Sequence, residues 1–361
     1  MNSRGAGAAG HSTAGPRPSG RAPRILIVRL GAIGDVVNAL VVANGIKHHL
    51  PNATIGWAVH PLSRPLVDGH PAVDRVHVWA KGTGLAGFRA VVQDVRREGY
   101  DLAIDLQRLQ KSALLARLSG APRVLGFDRK RAKEQSWLWT RERITPGHPR
   151  EHMVLQYQRF LDLLGLPRTP LIRELPADPA SEAWAEEFLS GACAGVAPIL
   201  LNIGASKPEK QWPGDSFRDL ELGLQNGFPS VPIVITGGPS DVELGQLLHG
   251  AVPTWHQLAG ETSLTQLLSL IRRSRGVITG DTGAMHMAAA LGVPTVALFG
   301  PSDPIRTGPF GKGHAVLQGN VRVEPPNDPA APRPRIRCPI SDILAPEVSI
   351  QAQLAFVRDR H

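Results

Sequence analysis

The sequence predicts an α/β protein built as two doubly wound halves with a cleft between them. Three observations lead there. Short apolar runs of strand length alternate with segments of helical periodicity. The alternation halts at a proline-punctuated connector, Pro167 to Pro179, and then restarts. The length of 361 residues suits two domains of ~100–200 residues each.

In the first half, Arg24 to Leu30 is an apolar run, followed by Gly31-Ala-Ile-Gly34-Asp35. Val36, Val37, Leu40, Val41 and Ile46 then recur at helical spacing up to Leu50, giving the order strand, glycine-rich turn, helix. Ile55–His60 and Arg75–Trp79 read as strands, Phe88–Glu98 as a helix, Asp101–Leu106 as a strand, Lys111–Leu118 as a helix and Arg123–Phe127 as a strand. The pattern weakens over the basic stretch Asp128–Arg150 and returns with a helix at Glu151–Leu164. A helix from Ser181 to Leu189 could join either half. Beyond it, strands at Ile199–Ile203, Pro232–Thr236, Trp255–Leu258, Gly276–Thr279 and Thr295–Phe299 alternate with helices at Asp215–Leu224, Asp241–Leu248, Ser263–Arg273 and Ala284–Leu291. This divides the chain into a disordered tail (1–22), two Rossmann-like domains (23–180 and 181–340) and a C-terminal segment (341–361). That segment holds an amphipathic helix, Pro346 to Arg358, expected to pack back on the first domain. Pro325 to Pro339 reads as exposed and proline-rich.

Composition narrows the function. A formal charge of +9 favours an anionic partner, whether nucleic acid, phospholipid or acidic glycan. No helix-turn-helix, RNA-recognition or zinc pattern appears, and aromatics are only 5%, which argues against a basic nucleic-acid-binding protein. Cys193 and Cys338 make neither a disulfide framework nor a metal cluster and read as reduced thiols in a cytoplasmic protein. The longest apolar run, Met285 to Phe299, is broken by Gly292 and Pro294, so no membrane-spanning helix is expected. The first 22 residues lack the apolar core of a secretory signal.

Five loops at strand ends could carry chemistry. Gly280-Asp281-Thr282-Gly283-Ala-Met-His286 closes a strand and opens a helix, whose unpaired N–H groups and partial positive charge suit a diphosphate. The same turn also reads as plain capping by Asp281 or Thr282. Gly300-Pro-Ser-Asp-Pro304 follows the next strand. Lys207-Pro-Glu-Lys210-Gln-Trp212-Pro213 offers a lysine for phosphate, or a solvated loop anchored by Trp212. Asp35 could take a proton from an acceptor hydroxyl, or merely complement its helix dipole. Thr236-Gly-Gly-Pro-Ser-Asp241-Val-Glu243 places acids where a ribose is often met, or where a helix is capped.

Taken in order from Arg24 to Leu354, these elements resemble the lipopolysaccharide heptosyltransferases of the inverting glycosyltransferase family 9. The specific matches are D-T-G-x-x-H-x-A-A at Asp281–Ala289, G-P-S-D-P at Gly300–Pro304, K-x-W-P at Lys210–Pro213 and G-D-V at Gly34–Val36. Tyr100–Gln107 with Lys111–Leu114 is especially similar to the heptosyltransferase I members. The resemblance implies a GT-B architecture with donor on the C-terminal domain and acceptor on the N-terminal one. It implies ADP-heptose as substrate, no cofactor, and metal-independent inversion. Asp35 would act as base, and Lys210 with the N–H groups at Thr282–Gly283 would stabilise departing ADP. Asp281 and His286 would shape the donor pocket, and Asp241 or Glu243 would meet the ribose. The acceptor would be an acidic lipid-linked glycan of the Kdo–lipid A type, with Arg64, Lys111 and Arg123 as candidate contacts and peripheral attachment at the cytoplasmic face of the inner membrane. A transferase or epimerase of the same architecture acting on another nucleotide sugar is the alternative.

Overall fold

The computed structural model describes residues 21–80, 82–168, 174–319, 321–323 and 338–356. Most of the proposed tail and of the proline-rich segment lies outside them.

The first half runs β1 (Arg24–Val28), α1 (Ile33–His49), β2 (Thr54–Val59), β3 (Arg75–Val78), α2 (Gly84–Arg97), β4 (Leu102–Asp105), α3 (Gln110–Leu118), β5 (Arg123–Gly126), β6 (Glu142–Arg143) and α4 (Met153–Leu163). Its sheet has the order β3-β2-β1-β4-β5-β6, and every pairing is parallel. The period of two along β1 explains the layering. Ile25 and Ile27 join α1 residues such as Val36 and Leu40 on one face. Leu26 and Val28 meet Val91, Val95 and Leu115 of α2 and α3 on the other.

The second half runs α5 (Pro179–Ala192), β7 (Ile199–Asn202), α6 (Gly214–Arg218), α7 (Leu220–Gly227), β8 (Ile233–Thr236), α8 (Val242–Ala251), β9 (His256–Gln257), α9 (Leu264–Arg273), β10 (Gly276–Gly280), α10 (Gly283–Ala290), β11 (Thr295–Phe299), α11 (Pro304–Thr307), β12 (His314–Gln318), β13 (Val321–Arg322) and α12 (Ala345–Phe356). The sheet order is β13-β12-β11-β10-β7-β8-β9, parallel except for the edge pair β12–β13. Both sheets therefore reverse direction once, between β1 and β4 and between β7 and β10. In doubly wound sheets such a reversal leaves a crevice beyond the carboxyl ends of the strands.

α5 packs on α9, with Ser181 Oγ donating to Thr265 Oγ1 at 2.8 Å, so this helix belongs to the second half. The C-terminal helix departs from the sequence expectation. α12 packs on α7 and on β10–β12 of the second sheet, not on the first domain. Its buried stripe, Val348, Ala352 and Phe356, faces that sheet, and Gln353 Nε2 donates to Gly223 O at 3.3 Å. The stretch leading into it is pinned by Trp212, whose indole N–H donates to Ile343 O at 3.0 Å.

The two halves share one apolar core. Residues of α1 and α4 are continuous with Ala284, Met287 and Ala288 of α10 and with Leu268 and Ile271 of α9.

Candidate functional site

The seam where α1 meets α10 brings the two crevices together. The side chains there are small for a packing reason. A Cβ on Gly34 would overlap the His286 ring, and a Cβ on Gly283 would lie 2.6 Å from Ile33 Cγ2. Two helix starts, one from each half, thus approach closely because glycine stands at both. Asn38 Nδ2 lies 3.3 Å from His286 Nδ1 across the seam. Burial lowers the pKa of His286 and favours the neutral ring. His286 therefore sits in the contact between halves.

On the first wall, Asp35 is in the opening turn of α1, and its carboxylate pairs with the Arg29 guanidinium. Arg29 is buried, and its Nη1 also donates to Leu106 O at 3.0 Å. The glycine turn before α1 is held by Gln107, whose Oε1 accepts from Leu30 N at 3.0 Å. Asp105, at the end of β4, accepts from Gln107 N at 3.1 Å, and burial pushes its carboxyl up to about 6. The dipole role of Asp35 is thus joined by a specific cation that fixes its carboxylate. Arg29, Asp105 and the role of Gln107 were not singled out from the sequence. Gln107 closes the Tyr100–Gln107 run, which was the available signal; a charged residue ending a strand carries none.

On the second wall, Lys210 Nζ donates to Asp281 Oδ2 at 2.6 Å. Asp281 thus serves the lysine. The Thr282 hydroxyl lies 3.0 Å from Thr279 Oγ1 and 3.4 Å from Asn202 Oδ1 and makes no capping bond to α10. Asn202 Nδ2 donates in turn to Thr236 Oγ1 at 3.2 Å, tying the ends of β7, β8 and β10. Neither alternative capping residue caps the helix, so its opening N–H groups have no side-chain acceptor from Asp281 or Thr282. Asp241 is buried, and its Oδ2 accepts from Gly238 N at 2.7 Å, which commits it to its own loop. Glu243 is exposed in the first turn of α8. Trp212 is buried against Phe217 with ring centroids 4.9 Å apart.

The acceptor candidates scatter. Arg64 is on the surface and pairs with Asp68 at 2.9 Å. Lys111 is exposed at the start of α3. Arg123 does not belong to the site. It opens β5, at the amino end of the strand and away from the carboxyl-end crevice, and both prongs of its guanidinium bind Glu142 at 2.8 and 2.7 Å. Much of the basic stretch is likewise committed to structure. Arg131 bonds Glu151, Arg143 bonds Trp137 O, and Arg150 forms a two-pronged pair with Asp303 of the other half, both contacts at 2.9 Å. The Gly300–Pro304 loop therefore works as a clasp between halves. Arg129 lies over the Trp137 ring, 4.4 Å from its centroid.

The profile of glycosyltransferase family 9 (heptosyltransferase) matches residues 88–328. The chain belongs to this family. It is 26% identical to the lipopolysaccharide core heptosyltransferase OpsX of Haemophilus influenzae, over 80% of this chain and 82% of that one. It is 29% identical to lipopolysaccharide heptosyltransferase 1 of Pseudomonas aeruginosa, over 84% and 85%. Its fold is similar to that of a family 9 glycosyl transferase from Veillonella parvula, with a TM-score of 0.80 at 23% identity, covering 93% of this chain and 98% of that one. It is also similar to the Escherichia coli heptosyltransferase WaaC solved with ADP-2-deoxy-2-fluoro heptose, with a TM-score of 0.71 at 24% identity and coverage of 91% and 98%. The family 9 chain is thus a glycosyltransferase of GT-B architecture, and each half supplies one wall of the crevice. Among the described residues no helix is long and apolar enough to cross a membrane.

Proposed function

We propose that this enzyme transfers a heptose from ADP-heptose to the inner core of a lipopolysaccharide acceptor of the Kdo–lipid A type, with inversion at the anomeric carbon. The observation that carries this reading is the juxtaposition of Asp35 on one wall with Lys210, Asp281 and Thr282 on the other, across the seam made by Gly34 and Gly283. The names of the relatives supply the donor and acceptor class.

Asp35 takes the proton of the acceptor hydroxyl as its oxygen attacks the anomeric carbon. The bond from that carbon to the diphosphate oxygen breaks, and the electron pair leaves with ADP. Lys210 and the opening N–H groups of α10 stabilise the charge that develops there. Arg29 keeps the Asp35 carboxylate oriented, and Asp281 holds Lys210 until the diphosphate competes for it. Glu243 is the better placed of the two acids for a ribose, because Asp241 is already bonded to its loop. The donor is a substrate and not a resident cofactor. The exposed basic residues Arg129, Lys130 and Lys133 favour an acidic lipid-linked acceptor and attachment at the cytoplasmic face of the inner membrane.

The test is ADP release from ADP-heptose with a heptose-deficient lipopolysaccharide acceptor, wild type beside Asp35→Ala. Acceptor-dependent release that collapses in the variant, with donor binding retained, supports the reading. A wild type that neither binds ADP-heptose nor releases ADP refutes the donor assignment.

A further inference from the structure

Three arginines and an unsatisfied tyrosine converge beside Asp35, and the transfer mechanism uses only one of them. Arg108 follows β4 in the left-handed backbone region, at φ 69°, and Lys133 N and Ser136 Oγ both bind its carbonyl at 2.9 Å. Its guanidinium lies over the Phe127 ring, 5.3 Å from the centroid. Arg108 is nine-tenths buried, and its Nε has no hydrogen-bond partner among the described residues. Phe127 packs edge-on against Tyr157, with centroids 6.2 Å apart. Tyr157 is fully buried, and its hydroxyl too lacks a hydrogen-bond partner among the described residues. One turn back on the same face of α4, Met153 Sδ receives Arg306 Nη2 at 3.7 Å, and Arg306 comes from α11 of the other half. Arg29, bonded to the carbonyl of Leu106, completes the group with Asp35.

The electrostatics agree with this placement. Burial lowers the pKa of Arg108, and Arg306 and Arg29 act in the same direction. Burial likewise raises that of Tyr157, up to about 12. Of the acids here, Asp35 is paired with Arg29, and Asp105 already accepts from the backbone N–H of Gln107. The buried Arg108 guanidinium and Tyr157 hydroxyl remain, with the half-buried Arg306 beside them, and such groups call for an anionic acceptor of hydrogen bonds.

We propose that Arg108, Arg306 and Tyr157 form an anion subsite beside Asp35 that receives the carboxylate of an acidic sugar in the acceptor. The inference rests on Asp35 being the base at the acceptor hydroxyl. The anchored carboxylate then sets which hydroxyl of that sugar reaches Asp35. Because Arg306 belongs to the second half, the subsite is complete only when the two walls are together, so an acidic acceptor also favours the closed crevice.

The experiment compares two acceptors, Kdo methyl glycoside and its C1 carboxamide, with wild type, Arg108→Gln, Arg108→Lys and Arg306→Gln. Loss of a charge-assisted hydrogen bond should raise the KM for the carboxylate on the order of 30-fold in the glutamine variants. The carboxamide should change by less than about 3-fold, because it carries no charge to pair with the guanidinium. Arg108→Lys should recover part of the difference, and ADP binding by calorimetry should stay at the wild-type value. Equal loss with both acceptors, or no loss with either, overturns the subsite. Direct binding of the Kdo glycoside by saturation-transfer NMR separates this from the transfer reading. If wild type transfers to neither acceptor, the transfer reading fails. Binding that is weakened in Arg108→Gln still supports the subsite, and no binding to wild type overturns it.

Discussion

Replacing Gly34 by alanine should damage catalysis far more than it damages folding. The added methyl would overlap the His286 ring, with Cγ and Nε2 both at 3.0 Å, whereas ordinary contact begins at 3.4 Å. The ring is nine-tenths buried and held by Asn38, so it cannot swing into solvent. The helix starts must therefore separate. Overpacking of this kind costs about 1–3 kcal/mol. A separation of roughly 1 Å moves Asp35 away from the lysine wall, and a displacement of that size can lower the rate about 100-fold. The assay is kcat/KM from ADP release, read beside the thermal midpoint. Repeating the substitution in a His286→Ala background should recover much of the loss, since the obstructing ring is gone. An alanine variant with wild-type kcat/KM, or the same loss in both backgrounds, would refute the idea that glycine sets the distance between the walls.

Three further outcomes are expected. Lys210→Ala should lower kcat about 10²–10³-fold, because it removes a cation at the leaving diphosphate, while the unfolding midpoint moves little; single-turnover kinetics read the loss. Asp105, raised from an ordinary value of 3.8 to about 6, binds its proton more tightly folded than unfolded, so its contribution to stability is present below pH 4, is lost as pH rises to 6 and is flat above. The difference is about 3 kcal/mol, and pH-dependent urea melts of Asp105→Asn should lack this slope. His286 has a folded pKa below its ordinary 6.5, so the unfolded chain protonates first and the His286 contribution opposes that of Asp105, falling as pH drops below 6.5. Thermal midpoints of His286→Gln should decline less over that range.

Much of the frame could be read in the chain because its signals are local. A strand, a glycine turn and a helix follow one another at Arg24–Leu50 and again at Gly276–Leu291, and those two turns are the ones that meet at the seam. Relations between distant segments left no such mark. The stripe of α12 said that the helix was amphipathic but not which sheet would cover it. Arg123 looked like its basic neighbours, and only the pairing of β5 with β6 gives it Glu142 as partner at the amino end of its strand. Arg29 read as one more residue of the run Arg24 to Leu30, although its burial beside Asp35 depends on β4 arriving next to β1. β12 and β13 were missed because runs of five and two residues carry too little periodicity.

The placement of α12 has a mechanical consequence. No described residue after the connector enters the first sheet, so the described chain passes from one half to the other a single time. A helix returning to the first domain would have made a second covalent tether and a hinge with a defined axis. With one tether among the described residues, the pivot is set by their surfaces: the glycine seam acts as fulcrum and the Arg150–Asp303 clasp as a latch on one side of it. Rocking of the walls is then governed by noncovalent contacts that substrate can outcompete, and its stiffness can be changed at the latch without touching the reacting groups.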